Sequence, residues 1–265
     1  FWKVFLIFLG PLILTNILQN LSGTINTIFV GQMLGVDAIA AIAVFFPILF
    51  LLLAFVIGLS TGATVLVGQA WGAKNTEKVR TIVGTLLFMT IIGGTIITIL
   101  GVVFAKQILM LLGIDQSIMH LALPYVQWML MSSPFLFIYI TYTSILRGVG
   151  DSTTPLLASG LTILIGVIIT PLLIGGYFGF PKLGIIAPAI ASGLGFLGTL
   201  VFLYIYLKKK DHVLKPDFAM IQHLRFHPEL SKTILKLGIP TGIQMITNSV
   251  AGLVVIGLVN KHGAH

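Results

Sequence analysis

Cysteine is absent, and charge is scarce. Only 8% of the 265 residues are Asp, Glu, Lys or Arg, and only 7 are acidic. The missing cysteines exclude disulfides, thiolate metal sites and cysteine nucleophiles. The scarcity of charge excludes an ordinary soluble domain, in which roughly 25% of residues are charged. With 57% hydrophobic residues and a mean hydropathy of +1.09, the chain could not cover a water-facing surface with polar groups. A bilayer is the solvent that suits this composition. The apolar stretches run about 20 residues or more without the alternation of a spanning strand, so the spans are helices. A signal peptide is also missing, because Phe1 to Phe29 is too long for one and has no small-residue cleavage site. The chain begins at Phe1 in place of Met and stops at His265, which reads as a segment of a longer protein.

Acids are missing from the apolar stretches altogether. Asp37, Glu77, Asp115, Asp151, Asp211, Asp217 and Glu229 all fall in the links between them. A membrane enzyme needs acids, bases or metal ligands facing a cavity. Of the six His only His120 lies near a span, and no metal-ligand spacing occurs. The reading is therefore a non-enzyme with no metal site and no cofactor. The net charge of +8 and pI near 9.8 reflect membrane topology, with no nucleic-acid partner, because the basic residues sit in links and form no aromatic-interleaved patch.

What is present is a series of about seven apolar segments, giving an all-α membrane protein. They are Val4–Val30, Ala38–Ala70, Thr81–Ala105, Ile118–Leu146, Pro155–Phe178, Gly184–Leu207 and Leu235–Val259. Placed on alternate sides, Lys3, Lys74, Lys78, Arg80, Arg147, Lys208, Lys209, Lys210, Lys215, Arg225, Lys232 and Lys236 fall together. Only Lys106, Lys182 and Lys261 fall opposite. The positive-inside bias puts the N-terminus and the long basic link in the cytoplasm of a multi-pass protein of the inner (plasma) membrane.

Link chemistry fits helix ends. Asp37 is placed to cap the second helix, and Asp151 to Pro155 offers a cap followed by a first-turn proline. Gly72 and Gly113 stand where the second and third helices should stop. The seventh segment resembles the first at an offset of 229. Pro11 falls on Pro240, Ile17 on Ile246, Gly23 on Gly252, Val30 on Val259 and Lys3 on Lys232. A six-helix unit followed by a restart describes a parallel internal repeat, an arrangement used by transporters. The expected division is a first lobe of helices 1–6 over residues 1–207, a cytoplasmic link over 208–235, and the first helix of a second, truncated lobe over 236–265.

The first segment is unusually polar. Asn16, Gln19, Asn20 and Asn26 are costly in hydrocarbon and should face protein or water. Gln19 and Asn26, seven apart, share one face, and Asn16 and Asn20, four apart, share an adjacent stripe. Two readings stand: helix-to-helix packing through hydrogen bonds, or the lining of a polar cavity. Pro11, Pro47, Pro134, Pro171, Pro188 and Pro240 lie in or near spans, where each can kink its helix.

Two stretches carry a specific resemblance. Gly58-Leu59-Ser60-Thr61-Gly62-Ala63-Thr64-Val65-Leu66-Val67-Gly68-Gln69-Ala70-Trp71-Gly72-Ala73-Lys74 closes the second helix, and Leu146-Arg147-Gly148-Val149-Gly150-Asp151-Ser152-Thr153-Thr154-Pro155 follows the fourth. Both resemble signatures of the multidrug and toxic compound extrusion (MATE) transporters, as does Phe29-Val30-Gly31-Gln32-Met33-Leu34-Gly35 at the end of the first helix.

The resemblance implies two six-helix lobes around a central cavity and export of amphipathic, often cationic drugs in exchange for Na+ or H+. Gln69, Gly72, Arg147, Gly148, Gly150 and Asp151 would then be structural signature positions, and Pro11 the kink of helix 1. The cavity would draw on Gln19, Asn20, Asn26, Tyr142 and Thr170. The partners implied are small-molecule drugs, the lipid bilayer and the missing C-terminal lobe of the same chain.

This sequence departs from the family where relatives carry acids. Asn26 stands at an Asp position, Gly166 and Thr170 stand at an Asn and an Asp position, and Asn248 stands at an acidic position. A related lipid-linked-sugar flippase is the alternative, but it calls for Arg or Lys inside the spans to meet pyrophosphate. A non-transporting membrane subunit or channel is the other, and no repeated pore loop supports it.

Overall fold

In a computed structural model the chain is all-helical, and the structure describes residues 2–217, 220 and 222–262. Side chains of residues 2–5, 7 and 248–262, and with them Asn248, lie outside the described set. The helices are α1 (Trp2–Leu34), α2 (Val36–Ala43), α3 (Phe45–Gly72), α4 (Thr76–Val103), α5 (Ala105–Leu111), α6 (Gln116–Gly148), α7 (Thr153–Gly175), α8 (Ala187–Lys209) and α9 (Pro228–His262). Five segments among the described residues are long and apolar enough to cross a membrane: Val36–Gly72, Thr76–Val103, Gln116–Gly148, Thr153–Gly175 and Gly184–Lys209. With α1 and α9 at either end they make up the seven segments expected.

Two of those segments are each built from two helices. The second breaks at Val44 into α2 and α3. Pro47 has no N–H to return to the Ala43 carbonyl, so the helical ladder is interrupted one turn before it. The third breaks at Phe104, and α5 continues the chain to Leu111. The basic link is shorter than expected, because α8 runs on to Lys209 and α9 starts at Pro228.

Helix ends follow local chemistry, with two differences from expectation. Gly35, and not Asp37, precedes α2, and Asp37 lies inside its first turn without a capping bond. Gly113 does end α5 in the left-handed region, at φ 73°. Gly72, however, is still helical, and the left-handed residue is Lys74 at φ 58°. The Asn75 N–H then reaches the Ala70 carbonyl and the Lys74 N–H reaches that of Trp71, the pattern that closes a helix with one left-handed residue. Asp211 (φ 49°) plays the same part after α8.

α6 is the hub, touching α2, α3, α4, α5, α7 and α8, while α1 sits at the edge against α7 and α2. The core falls into two clusters at opposite ends of the bundle. One gathers Val67, Val83, Leu86, Leu146, Leu207, Leu214 and Ile234, and the other Val30, Phe45, Leu52, Leu109, Val126, Leu130 and Ile174. Outward-facing side chains such as Ile96, Ile99, Leu164, Ile168 and Val201 stay exposed, as expected of surfaces that meet lipid.

Hydroxyls tie the helices together inside. Tyr139 Oη and Ser159 Oγ lie 2.8 Å apart, Thr162 Oγ1 and Thr199 Oγ1 2.7 Å, Thr98 Oγ1 and Ser133 Oγ 2.8 Å, and Thr90 Oγ1 and Thr141 Oγ1 3.2 Å. Such bonds replace the hydrophobic drive that lipid removes.

α9 lies on α3 through bare backbone. Gly58 and Gly62 face Gly238 and Gly242. A Cβ added to Gly62 would stand 2.4 Å from the Ile234 carbonyl oxygen, and one on Gly238 would stand 2.3 Å from that of Gly58. Both helices thus carry the small-xxx-small spacing that permits close approach. By contrast, a Cβ on Gly160 in α7 would meet nothing within 4 Å. Gly62→Ala is therefore expected to lower stability by about 1–3 kcal/mol through overpacking. Gly160→Ala is expected to raise it by about 0.5–1 kcal/mol through helix propensity. Thermal unfolding of the two variants in the same detergent checks the opposite signs.

Candidate functional site: the polar face of the first helix

Asn16, Asn20 and Thr24 stand four residues apart on α1. With Ile13, Ile17 and Leu21 they line an open groove of about 530 Å³. The groove lies on the face of α1 turned away from α7 and α2, which accounts for its openness. None of the six lining residues carries a charge.

The amides in this groove are already half satisfied. Asn16 Nδ2 donates to the Leu12 carbonyl at 3.1 Å, Asn20 Nδ2 to that of Asn16 at 2.8 Å, and Thr24 Oγ1 to that of Asn20 at 3.2 Å. Each side chain folds back one turn, the usual resort of a polar group on a helix facing apolar surroundings. Each amide spends one of its two N–H groups on backbone. The second N–H and the carbonyl oxygen of Asn16 and of Asn20 remain, so the groove offers both donors and acceptors beside aliphatic surface.

The expected cavity residues divide into three groups. Asn20 lines the groove. Gln19 is exposed on α1 but is not among the lining residues. At about 100° per residue it shares its face with Asn26, away from the groove stripe. Asn26 is half-buried, and its Oδ1 is shut off from solvent without any hydrogen-bond partner. A buried amide oxygen left unpaired is uncommon. Thr170 is almost wholly buried on α7, the helix against which α1 packs. Tyr142 is buried in the other core cluster, with Leu59, Ile145 and Leu146, and is not brought near the groove. Pro11 lies inside an unbroken α1, with Thr15 Oγ1 donating to its carbonyl at 2.7 Å.

Three of the signature positions, Gly148, Gly150 and Asp151, form the α6–α7 corner. Gly148 lets α6 approach α3, because a Cβ there would stand 3.2 Å from the Thr64 carbonyl oxygen. Gly150 takes φ 86°, and the Asp151 carboxylate receives the N–H groups of Thr153 and Thr154 and so caps α7. Arg147 is half-buried with its Nε unpartnered, while Gln69 and Gly72 are exposed. Among the described residues no group of three His, Cys, Asp or Glu is placed to hold a metal ion.

Asn16, which shares a stripe with Asn20 in the sequence, completes the groove together with Thr24, which was not singled out for the cavity. The spacing of Thr24 from Asn20, four residues on, was the available signal.

These features define a polytopic α-helical membrane protein with a polar first helix. Comparison with known proteins gives the family. The MatE family model matches residues 11–172, and the chain belongs to that family. The probable multidrug resistance protein YoeA of Bacillus subtilis (strain 168) is 39% identical over 264 residues, covering 100% of this chain and 57% of the relative. The probable multidrug resistance protein NorM of Thermotoga maritima is 29% identical, over 94% of this chain and 53% of its own length. A crystal structure of MATE in the straight conformation shares the fold with a TM-score of 0.86 at 23% identity, covering 98% of this chain and 56% of the other. The chain thus spans about half the length of these relatives.

The lone Asn26 oxygen yields a test of cost against purpose. Asn26→Leu removes a buried acceptor that no described residue satisfies, and should raise stability by about 1–3 kcal/mol in sodium-free buffer. Thermal unfolding in detergent measures it. An unchanged or lowered midpoint would mean that the amide is satisfied in the membrane-embedded protein.

Proposed function

We propose that this chain is the first lobe, residues 1–207, with the link over 208–235 and the opening helix of the second lobe over 236–265, of a cation-coupled exporter. It carries amphipathic, often cationic compounds out of the cytoplasm. The observation that carries this reading is the groove on α1, where the amide oxygens and remaining N–H groups of Asn16 and Asn20 lie beside Ile13, Ile17 and Leu21. Such a surface suits a molecule with an apolar body and an N–H-bearing head, which the amide oxygens accept, and it offers an anion no positive charge. The names of the relatives, multidrug resistance proteins, agree with it.

The partner that closes the groove in this reading is the second lobe. α9 corresponds to α1 in the internal repeat and lies on α3. A two-fold relation between lobes returns the favour: the counterpart of α3 lies on α1, over Ile13, Ile17 and Leu21. One lobe by itself leaves that face to lipid and has nothing to rock against.

The coupling ion is Na+ or H+. A proton site needs a titratable group, and Asn26, Gly166 and Thr170 are not titratable. A hard cation accepts neutral oxygens, and the unpartnered Asn26 Oδ1 is such an oxygen. In the full-length transporter, Asn26→Ala should abolish sodium-driven efflux and leave proton-driven efflux intact. Unchanged efflux under both gradients would assign coupling to the second lobe. Loss of proton-driven efflux alone, with expression intact, would overturn the reading of this lobe.

The bias of basic residues supports a cytoplasmic N-terminus and link in the inner membrane. Lys182→Cys, on the exposed α7–α8 turn, should react with an impermeant thiol reagent in intact cells. Lys209→Cys, at the exposed end of α8, should react only after lysis. The reverse pattern would invert the topology.

A further inference from the structure

The link after α8 is no loose tether. Leu214 and Met220 are buried in the core cluster at that end of the bundle, with Val79, Val83, Leu86 and Leu207. The His223 carbonyl lies where a Cβ on Gly84 would stand, so only glycine lets the link pass α4 this closely. Charge pins the turn before it. Arg80 of α4 faces Asp217 at 3.8 Å, and Lys215 pairs with Asp211 at 2.6 Å and with Asp217 at 3.8 Å.

His212 sits at the start of this docked segment and makes two contacts through its two ring nitrogens. Nδ1 accepts the Leu214 N–H at 3.1 Å, so it carries a lone pair and the proton resides on Nε2. Nε2 faces Asp151 Oδ2 at 3.9 Å, the same carboxylate that caps α7. One neutral imidazole thus closes the turn of the link, and its Nε2 lies near the α6–α7 corner without a hydrogen bond to it.

We propose that His212 is a proton-operated latch within the inter-lobe link: its neutral ring holds the 211–217 turn closed by accepting the Leu214 N–H, and protonation at Nδ1 opens that turn and makes the ring an ion-pair partner of Asp151. The arriving proton takes the Nδ1 lone pair, and the Leu214 N–H loses its acceptor. The ring turns from an acceptor into a donor facing another donor, while Leu214 is buried and has no water to turn to.

The charges around the ring set the balance. Burial favours the neutral form and holds the imidazole below its ordinary value. Asp151, facing it from the α6–α7 corner, opposes that effect, and Lys210, at the end of α8, adds to it. Asp211, Lys215 and Asp217 on the link, and Arg80 on α4, pair among themselves. With the folded value depressed, the latch contributes its full stability above the ordinary histidine pKa of about 6.5, and loses it as pH falls through the lowered value. The closed state therefore belongs to neutral pH and release to acidification.

Hydrogen exchange at the Leu214 amide, in the full-length transporter in lipid nanodiscs, reads the latch directly. Corrected for intrinsic exchange, protection in the wild type should fall roughly tenfold or more between about pH 7.5 and pH 5. His212→Asn keeps an acceptor two residues before Leu214 but cannot titrate, so its protection should stay flat. Asp151→Asn retains a capping oxygen and removes the charge that favours the imidazolium, so its loss of protection should move to lower pH. The proposal is overturned by pH-independent protection in the wild type, or by an unaltered pH response in His212→Asn. Should His212→Asn prove unprotected at every pH, an unshifted midpoint in Asp151→Asn overturns it instead.

Discussion

Lipid offers no water to a stranded hydrogen-bonding group, and most of this architecture answers to that constraint. Helices satisfy their own backbone. Side-chain hydroxyls either fold back on a carbonyl one turn earlier, as Thr15, Thr64 and Thr162 do, or meet another hydroxyl across a helix pair. The same rule shapes the groove on α1. Asn16 and Asn20 are tolerable on an exposed helix face because each folds one N–H back on the backbone, which leaves the groove one N–H and one amide oxygen per side chain. The chemistry available to a ligand follows from how the chain solves a folding problem.

Where side chains cannot help, glycine does. α3 and α9 meet backbone to backbone because no Cβ stands between Gly58, Gly62, Gly238 and Gly242. α6 reaches α3 in the same manner at Gly148, and the link passes α4 at Gly84. These close approaches set the distances between helices, and the two apolar clusters fill the room that is left.

Much of this was legible in the sequence because it depends on composition and local pattern. Apolar length gave the spans, and the stretch from Asp151 to Pro155 gave the cap of α7. Features that depend on tertiary surroundings were not legible. Pro47 announced a bend but not its place at Val44. Gly72 looked like a helix stop, yet Lys74 takes the left-handed position, because the closing bonds to Ala70 and Trp71 hold it there. Tyr142 was assigned to the cavity through the family resemblance, and it packs in a core cluster with Leu59, Ile145 and Leu146. The groove needs the absence of a neighbour over Ile13 and Ile17, which no local pattern encodes. The docking of the link rests on Leu214 and Met220, single apolar residues in a stretch whose charge suggested solvent.

The glycine seam has a consequence for how such a chain is made. Gly58 and Gly238 touch, yet a ribosome adding roughly 5–20 residues per second needs on the order of 10–40 s to travel from one to the other. Throughout that interval the small face of α3 borders lipid with its partner unborn. A face of leucines would recruit the wrong helix in the meantime. Glycine gives passing helices little side-chain surface to hold, and rewards only the one whose own glycines let the two backbones close. The seam thus selects its late-arriving partner by shape, and keeps the early half of the protein open until that partner enters the membrane.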